Sequence, residues 1–244
     1  MEGISAITST SMEALTKQYQ AIAHNLANAN TVGYKRRLTA FQQLLEAQVQ
    51  GTEPATTLSS KVQGLVTIDH TQGPMTNTGR ALDLAIEGEG FFVIETPQGP
   101  LYTRNGSFDA NPQGQLVDSL GRTVSGQGGP ITLPSGVGLS QITVAQDGTV
   151  SVAGQSIGKL AMVRFEDPAG LEPVGGNCFR AAESMSPETA ATVKVWQHFQ
   201  ENSNVNVVEE LVGLIAVTRL YEANVKAIEK QDEQMKNLLQ VAMS

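Results

Sequence analysis

The stretch ALDLAIEGEGFFVIE, residues 81–95, places β-structure in the middle of this chain. Leu82, Leu84 and Ile86 alternate with small or polar residues, which is the period-two pattern of a half-buried strand. The glycines of Gly88-Glu89-Gly90 then predict a turn, and the apolar run after them predicts a second strand. The stretch therefore predicts two strands joined by a turn.

Further short strands follow at intervals of about ten residues, a spacing typical of an all-β sandwich or barrel. Asn105-Gly106 and Asp147-Gly148 separate several of them, and Asn-Gly is the strongest short-range sign of a hairpin turn. Because 24 of the 244 residues are glycine and only 5% are aromatic, many turns and a modest core are expected. We predict an all-β domain over residues 80–199.

Both ends of the chain, outside this domain, predict helices. Apolar side chains recur there at steps of four and three, the spacing of a coiled-coil seam. A narrow stripe of this kind needs a partner, either the other end of the same chain or a second copy. We expect an assembly interface made of Met12, Leu15, Tyr19, Ile22, Leu26, Leu211, Leu214, Tyr221, Val225, Ile228, Met235 and Leu239.

The predicted fold class is therefore α+β, with long N- and C-terminal helices paired in a coiled-coil-like layer and a central all-β domain. Residues 1–33 form the N-terminal helix, and residues 200–244 form the C-terminal helix. Residues 34–79 form an extended connector, in which the spacing of apolar residues predicts a short helix over 38–49.

Charge and hydropathy argue against two classes of partner. The net charge is -8, and the densest basic run is only Lys35-Arg36-Arg37, so we expect no nucleic-acid partner. The chain has no continuous apolar run of about 18 residues, so we expect no direct membrane insertion. Its first residues carry neither a basic segment nor a continuous apolar core, and we therefore expect no cleaved signal peptide.

The residues that usually carry chemistry are scattered. Cys178 is the only cysteine, and His24, His70 and His198 lie far apart without the spacing of a metal site. Gly88-Glu89-Gly90 is followed by phenylalanines and not by the helix that a phosphate-binding loop requires. We expect no catalytic residue, no cofactor and no metal, and therefore no enzyme.

Four segments in order resemble the axial proteins of the bacterial flagellum, the rod and hook family. They are NLANANTVGYKR (25–36), ALDLAIEGEGFFVI (81–94), LYTRNGSFDANPQGQLVDSLGRTV (101–124) and SNVNVVEELVGLIAVTRLYEANVKAI (203–228). The first two motifs are carried by Asn25, Leu26, Ala27, Asn28, Gly33, Tyr34, Lys35, Gly88, Gly90, Phe91 and Phe92.

The resemblance implies a structural subunit of the flagellar rod in the basal body. In this family the terminal helices form an inner axial layer and the β-domain an outer layer. Copies of the chain and other axial proteins, rod and hook, would stack helically into a hollow shaft that transmits torque and forms the export channel. The flagellar type III export apparatus would export the subunit without a cleaved signal peptide.

Two alternatives stay open at this point. Within the family, the C-terminal motif favours the distal-rod, G-type subunit, whereas the short length favours the proximal-rod, F-type subunit. Outside the family, a secreted β-rich binding module with helical oligomerisation ends, like a phage-tail or adhesin fragment, would also explain the β-patterned middle and the helical ends. That alternative does not explain the segment NLANANTVGYK, residues 25–35.

Overall fold

The computed structural model describes residues 2–39, 66–190 and 192–242, and these form two compact units. The first unit comprises residues 2–27, 37–39, 66–68 and 205–242. The second comprises residues 28–36, 69–190 and 192–204.

The first unit contains two α-helices and one small sheet. Helix α1 is Glu2–Ala27 and helix α2 is Val207–Ala242. Strands β1, Arg37–Thr39, and β2, Val66–Ile68, pair antiparallel. Leu38 and Thr39, which were predicted to begin the connector helix, thus lie in strand β1. The rest of that predicted helix, residues 40–49, lies outside the described residues.

The start of α2 follows from local capping. The side-chain oxygen of Asn206 accepts a hydrogen bond from the backbone N–H of Val208 at 3.1 Å, which satisfies one of the free donors of the first turn. Glu209 and Glu210 follow in that turn, where negative charge stabilises the helix dipole. Asn206 therefore explains why the helix begins at Val207.

The second unit is built from short antiparallel strands. They are β3 Met75–Asn77, β4 Leu84–Glu87, β5 Phe91–Glu95, β6 Leu101–Thr103, β7 Asp109–Ala110, β8 Leu116–Val117, β9 Thr123–Gly126, β10 Gly129–Pro130, β11 Ile142–Val144, β12 Thr149–Val152, β13 Gln155–Lys159, β14 Met162–Arg164, β15 Glu172–Gly175, β16 Cys178–Arg180, β17 Glu188–Thr189, β18 Lys194–Gln197 and β19 Phe199–Glu201. Two short 3-10 helices, Leu139–Gln141 and Pro168–Gly170, connect some of them.

The largest sheet of this unit has ten strands. Its main path runs in the order β15-β16-β6-β5-β9-β8-β7, with β10 beside β9, β14 beside β5, and β17 beside β14. Separate small sheets are β11-β12-β13, β18-β4 and β19-β3. The pair β5–β6 places Phe92 opposite Thr103 and Ile94 opposite Leu101, so large apolar side chains come to lie on one face.

One apolar core lies between these strands. Phe92, Phe108, Ile94 and Leu160 in this core are fully buried, and the rings of Phe92 and Phe108 meet edge to face with their centroids 5.2 Å apart. Burying side chains of this size contributes about 1.5–3 kcal/mol each relative to exposure. The second unit therefore has its own core and does not depend on the helices for one.

The predicted fold class, a chain organised around paired coiled-coil-like terminal helices, is wrong. Among the described residues there are two helices, of 26 and 36 residues, and nineteen strands, so the chain is mostly β. The predicted seam also differs from the observed burial, because Tyr19, Leu211 and Tyr221 are 50%, 43% and 43% exposed. On α2 the apolar residues therefore occupy more than one face of the helix and do not form a continuous coiled-coil seam.

Candidate functional site

The helices of the first unit touch along one short stripe of each. Among the side chains of α1 that the structure describes, residues 12–27, the buried ones are Gln18, Ala21, Ile22 and Asn25, at the i, i+3, i+4 and i+7 spacing of one helix face. On α2, among residues 207–230, 233 and 234, the buried positions are Glu210 and Val217. Gly213 lies between them, and a Cβ added there would stand 3.4 Å from the Cδ1 atom of Ile22. A glycine at this point therefore lets the two helices approach closely.

The structure distributes the predicted interface residues over different environments. Ile22 is buried, and Tyr19, Leu211 and Tyr221 are exposed. Met235 and Leu239 lie in α2. The half-buried members of the predicted set are Met12, Leu15, Leu26, Leu214, Val225 and Ile228. An apolar groove of about 290 Å³ is lined by Leu15, Thr16, Tyr19, Val217, Thr218 and Tyr221.

A second apolar face of α2 was missed by the heptad pattern, which named only one of its residues. Val208, Leu211, Val212 and Ile215 recur at i, i+3, i+4 and i+7 and are 69%, 43%, 62% and 56% exposed. Four large exposed side chains on one helix face form an apolar patch of the kind that marks an interaction site. We call these four residues the α2 outer face.

Asn25, the first residue of the N-terminal motif, connects three elements of the first unit by hydrogen bonds. The side chain of Asn25 is fully buried, and its Oδ1 accepts a hydrogen bond from the N–H of Arg37 at 2.8 Å. Its Nδ2 donates to the carbonyl of Arg37 at 2.9 Å and to the carboxylate of Glu210 at 3.2 Å. One amide thus joins α1, β1 and α2, which requires both a donor and an acceptor on a short side chain. The following Leu26 is half-buried and Ala27 is exposed.

The rest of this motif belongs to the second unit. Asn28 begins a turn in which its carbonyl accepts from Thr31 at 3.1 Å, and Tyr34 is buried. Gly33 has a φ of +67°, and a Cβ there would come within 2.5 Å of the backbone nitrogen of Asn105. Only glycine combines this left-handed backbone with so close an approach. The Gly33 N–H donates to the carbonyl of Glu201 at 2.7 Å.

A buried carboxylate lies next to this turn. Glu201 is fully buried, and its Oε1 accepts from Lys35 Nζ at 2.6 Å and from the N–H of Gly73 at 2.9 Å. Lys35 Nζ also donates to the carbonyl of Thr71. Burial lowers the pKa of Lys35, although the neighbouring Glu201 opposes that shift. The carboxylate of Glu201 therefore connects three separate segments of the second unit, which contain Lys35, Gly73 and Glu201 itself.

Arg104 supplies the second cation of this cluster. Its Nη1 lies 3.4 Å from Glu201 Oε2, its Nη2 donates to the carbonyl of Gly88 at 2.7 Å, and its guanidinium lies 5.2 Å from the ring centroid of Phe91. Burial lowers the pKa of Arg104, and Glu201 opposes the shift. We call Lys35, Arg104 and Glu201 the charge cluster. Sequence reasoning did not find Arg104 or Glu201.

Half-buried His70 borders the charge cluster. Its ring meets those of Phe91 and Phe179 edge-on, with centroids 5.6 Å and 5.1 Å apart. Burial, followed by the charges of Lys35 and Arg104, lowers the pKa of His70 to about 4. The imidazole is therefore neutral in the folded protein at neutral pH.

This pKa predicts a loss of stability in mild acid. Because the folded pKa of about 4 lies below the ordinary 6.5, the unfolded chain binds the proton first as the pH falls. The contribution is fully present above pH 6.5 and is lost as the pH falls toward 4. We expect urea unfolding midpoints to fall more steeply across this window for the wild type than for His70→Phe. Equal slopes for the two proteins would contradict this assignment.

The glycines and phenylalanines of the second motif form a turn and the start of a buried strand. Gly90 is buried, and a Cβ there would lie 3.0 Å from Cγ1 of Val193, whereas Gly88 is exposed and has a φ of +101°. Phe91 and Phe92 are buried at the start of β5. The pair of glycines thus allows the sharp turn between β4 and β5. After it, Phe92 enters the apolar core, whereas Phe91, on the other face of the strand, packs against His70 and Phe179.

In the part of the chain that the structure describes, no group of histidine, cysteine or acidic residues is arranged to hold a metal ion. No helix there is long and apolar enough to cross a membrane. A cavity of about 400 Å³ in the second unit is lined in part by Asp147, Lys159 and Lys194. The carboxylate of Asp147 and the Nζ of Lys159 lie 3.2 Å apart and form an ion pair. The described residues offer instead an apolar surface on α2 and a β-unit whose segments are held together by buried hydrogen bonds and ion pairs.

Comparison with known proteins gives three family matches that span both ends and the middle. Residues 9–35 match the flagella basal body rod protein family, and residues 85–152 match the flagellar hook protein FlgE/F/G D1 domain. Residues 197–241 match the flagellar basal body rod FlgEFG protein C-terminal family. These matches fall on the segments that carry the resemblance to the rod and hook family.

Whole-chain relatives agree with these matches. The chain is 34% identical to the flagellar basal-body rod protein FlgG of Buchnera aphidicola, over 96% of this chain and 98% of that protein. It is 36% identical to FlgF of Caulobacter vibrioides, over 90% and 89%, and 31% identical to FlgG of Bacillus subtilis, over 93% and 94%. The chain therefore belongs to the family of flagellar basal-body rod proteins of the FlgF and FlgG type, the structural subunits of the flagellar rod.

Proposed function

We propose that this rod subunit polymerises helically with copies of itself and with other axial proteins of the flagellum through the helices of its first unit. In that role it is a section of the drive shaft, transmits torque and forms part of the export channel. The relatives named as rod proteins support the location in the basal body. Nothing in the fold or among the relatives favours the binding-module alternative.

The observation that carries the proposal is the α2 outer face. Val208, Val212 and Ile215 are each more than half exposed, although fully burying one such side chain stabilises by about 1.5–3 kcal/mol. Water is a poor environment for a row of such side chains, and a neighbouring protein surface is a favourable one. Contacts that do not close on themselves give a filament and not a ring, as a shaft requires.

The proposal has further parts that rest on the same role. The partners are rod and hook proteins together with the type III export apparatus, which passes the chain without cleaving a signal peptide. The subunit acts without catalysis, cofactor or nucleic acid. The three matches to rod and hook families support the rod and hook proteins as partners.

A single charge on the α2 outer face tests the proposal. Val212 is 62% exposed, so Val212→Lys should change the free energy of unfolding by no more than about 0.5 kcal/mol. Across a packed interface, however, the same lysine would be desolvated without a partner. We expect the variant to fold, to be missing from purified basal bodies and to abolish motility in a strain lacking the wild-type copy.

The matched control is Ala227→Lys, which adds the same charge to an exposed position of the same helix. Asn224 and Lys230, three positions before and after, lie beside it on the same side of the helix, so the added charge stays in a polar environment. This variant should enter basal bodies normally. Normal amounts of Val212→Lys in basal bodies, with normal motility, would contradict the proposed role of the α2 outer face.

A further inference from the structure

The cavity of about 400 Å³ in the second unit has an apolar wall and a polar one. Met162, Ala190 and Val193 line it and belong to the buried core of the unit. Pockets that bind small ligands usually measure about 300–1,000 Å³ and combine such an apolar lining with a few polar groups. The space therefore suits a short segment of another molecule, and we call it the β-unit cavity.

The polar wall of the β-unit cavity carries one surplus positive charge. Lys159 lies 3.2 Å from the carboxylate of Asp147, so these two charges neutralise each other. Lys194 lines the same cavity, and within the described part of the chain its amine makes no ion pair. Glu87, opposite Lys194 in the β4–β18 pair, accepts a hydrogen bond from Trp196 Nε1 at 2.7 Å. Lys194 thus offers a cation to an external anion, although the net charge of the chain is -8.

Two carboxamides complete the polar wall. Gln127 and Gln146 line the cavity, and neither side chain makes a hydrogen bond to any other described residue. A carboxamide carries both a donor and an acceptor, as the peptide group does. The pair can therefore satisfy the backbone N–H and C=O groups of a bound peptide.

This combination of groups distinguishes between ligand classes. A small inorganic anion would use the amine of Lys194 and leave the apolar wall and both carboxamides without a partner. A nucleic acid would need a larger basic surface than one unpaired lysine. A peptide with a carboxylate and a small apolar side chain matches the cation, the carboxamides and the apolar wall together.

We infer that the β-unit cavity binds a short acidic peptide segment of another protein. A carboxylate of the segment faces Lys194, its backbone meets the two carboxamides, and a small side chain covers the apolar wall. The site lies wholly within the second unit and uses neither helix. It therefore adds a partner beyond the helical contacts of the proposed function and does not depend on them.

The chain carries its own reporter for this site. Trp196 is its only tryptophan, and it lies two residues beyond Lys194 on the same face of β18. At about 3.3 Å per residue, the two backbone positions are about 6.6 Å apart along the strand. A segment bound at Lys194 should therefore shift the NMR signal of the one tryptophan indole N–H.

The test is an NMR titration of the purified, isotope-labelled full chain at low salt with the peptide acetyl-Glu-Ala-Glu-amide. We expect a saturable shift of the indole signal, and a dissociation constant about fivefold higher for Lys194→Gln. The peptide acetyl-Gln-Ala-Gln-amide should bind the wild type more weakly by a similar factor. The matched control is Arg180→Gln, which removes the same charge at an exposed position of β16 outside the cavity lining and should bind like the wild type.

Four outcomes would overturn the inference. They are no saturable shift with the acidic peptide, equal affinity for the two peptides, an effect of Arg180→Gln as large as that of Lys194→Gln, and saturation by acetate as strong as by the peptide. Self-association of the purified chain that Lys194→Gln abolishes would also overturn it, because a second copy would then occupy the cavity. Entry of the Lys194→Gln chain into basal bodies is tested separately, so failure of this inference leaves the proposed function intact.

Discussion

Glu201→Ala should lower the free energy of unfolding by about 3–5 kcal/mol. The substitution removes a fully buried carboxylate and leaves the ammonium of Lys35 and the guanidinium of Arg104 buried without their anion. It also removes the acceptor of the Gly73 N–H. Because the free energy of unfolding of a whole domain is only about 5–15 kcal/mol, the loss is a large fraction of the total stability. Urea denaturation of the purified chain measures the change in this free energy.

The matched control is Glu188→Ala. Glu188 pairs with Arg164 at 2.7 Å, but the two side chains are 56% and 49% exposed. Exposed pairs of this kind contribute about 0–1 kcal/mol, so the control should unfold close to the wild-type midpoint. If the two variants lost equal stability, the charge cluster would not hold the segments of the second unit together as described.

Gly106→Ala should destabilise the second unit by about 3 kcal/mol, the upper part of the usual range for overpacking. A Cβ at this position would stand 1.8 Å from the carbonyl oxygen of Leu84, which is backbone and cannot rotate away. Relief would require breaking the hydrogen bond from Leu84 N–H to the Gly106 carbonyl, 2.9 Å long. Thermal unfolding followed by circular dichroism measures the effect.

Gly128→Ala provides the comparison for this glycine. A Cβ added to Gly128 meets nothing within 4 Å, so the methyl group has room. We expect a change of at most about 0.5 kcal/mol, the usual range for surface substitutions. A stable Gly106→Ala protein, with a melting temperature like that of Gly128→Ala, would show that strand β4 does not pass Gly106 as closely as described.

The strands could be predicted where their signal is local. The apolar run after Gly88-Glu89-Gly90, predicted to be a strand, is strand β5, Phe91–Glu95. Strand pairing is different, because it depends on residues far away in the chain. Asn105-Gly106 predicted a hairpin, yet β6 pairs with β5 and β16, and Gly106 contacts the backbone of Leu84.

The helices show where periodicity is ambiguous. The terminal helices could be predicted, but an apolar residue every three or four positions does not tell which side of the helix meets its own chain. On α2 the buried Val217 lies outside the predicted seam, whereas Leu211 of that seam is 43% exposed. A helix with apolar residues on two faces fits the same pattern as one with a single seam.

The charge cluster carried no local signal at all. Lys35 stands in a run of basic residues that reads as a solvated turn, and its partner Glu201 is 166 positions away. A charged residue is almost never fully buried without a partner, so composition alone argues for exposure. Only the fold brings the carboxylate and the two cations together. The family resemblance named Lys35 as a motif residue but gave no physical reason for a lysine there.

The central claim is that this chain is a rod subunit whose outward helix faces are covered by neighbouring subunits. A cryo-EM map of basal bodies from the bacterium that makes this chain tests it most directly. We predict rod density that fits the chain, with Val208, Val212 and Ile215 of each copy buried against a neighbouring subunit. A rod without this chain, or one in which these three side chains face water, would contradict the claim.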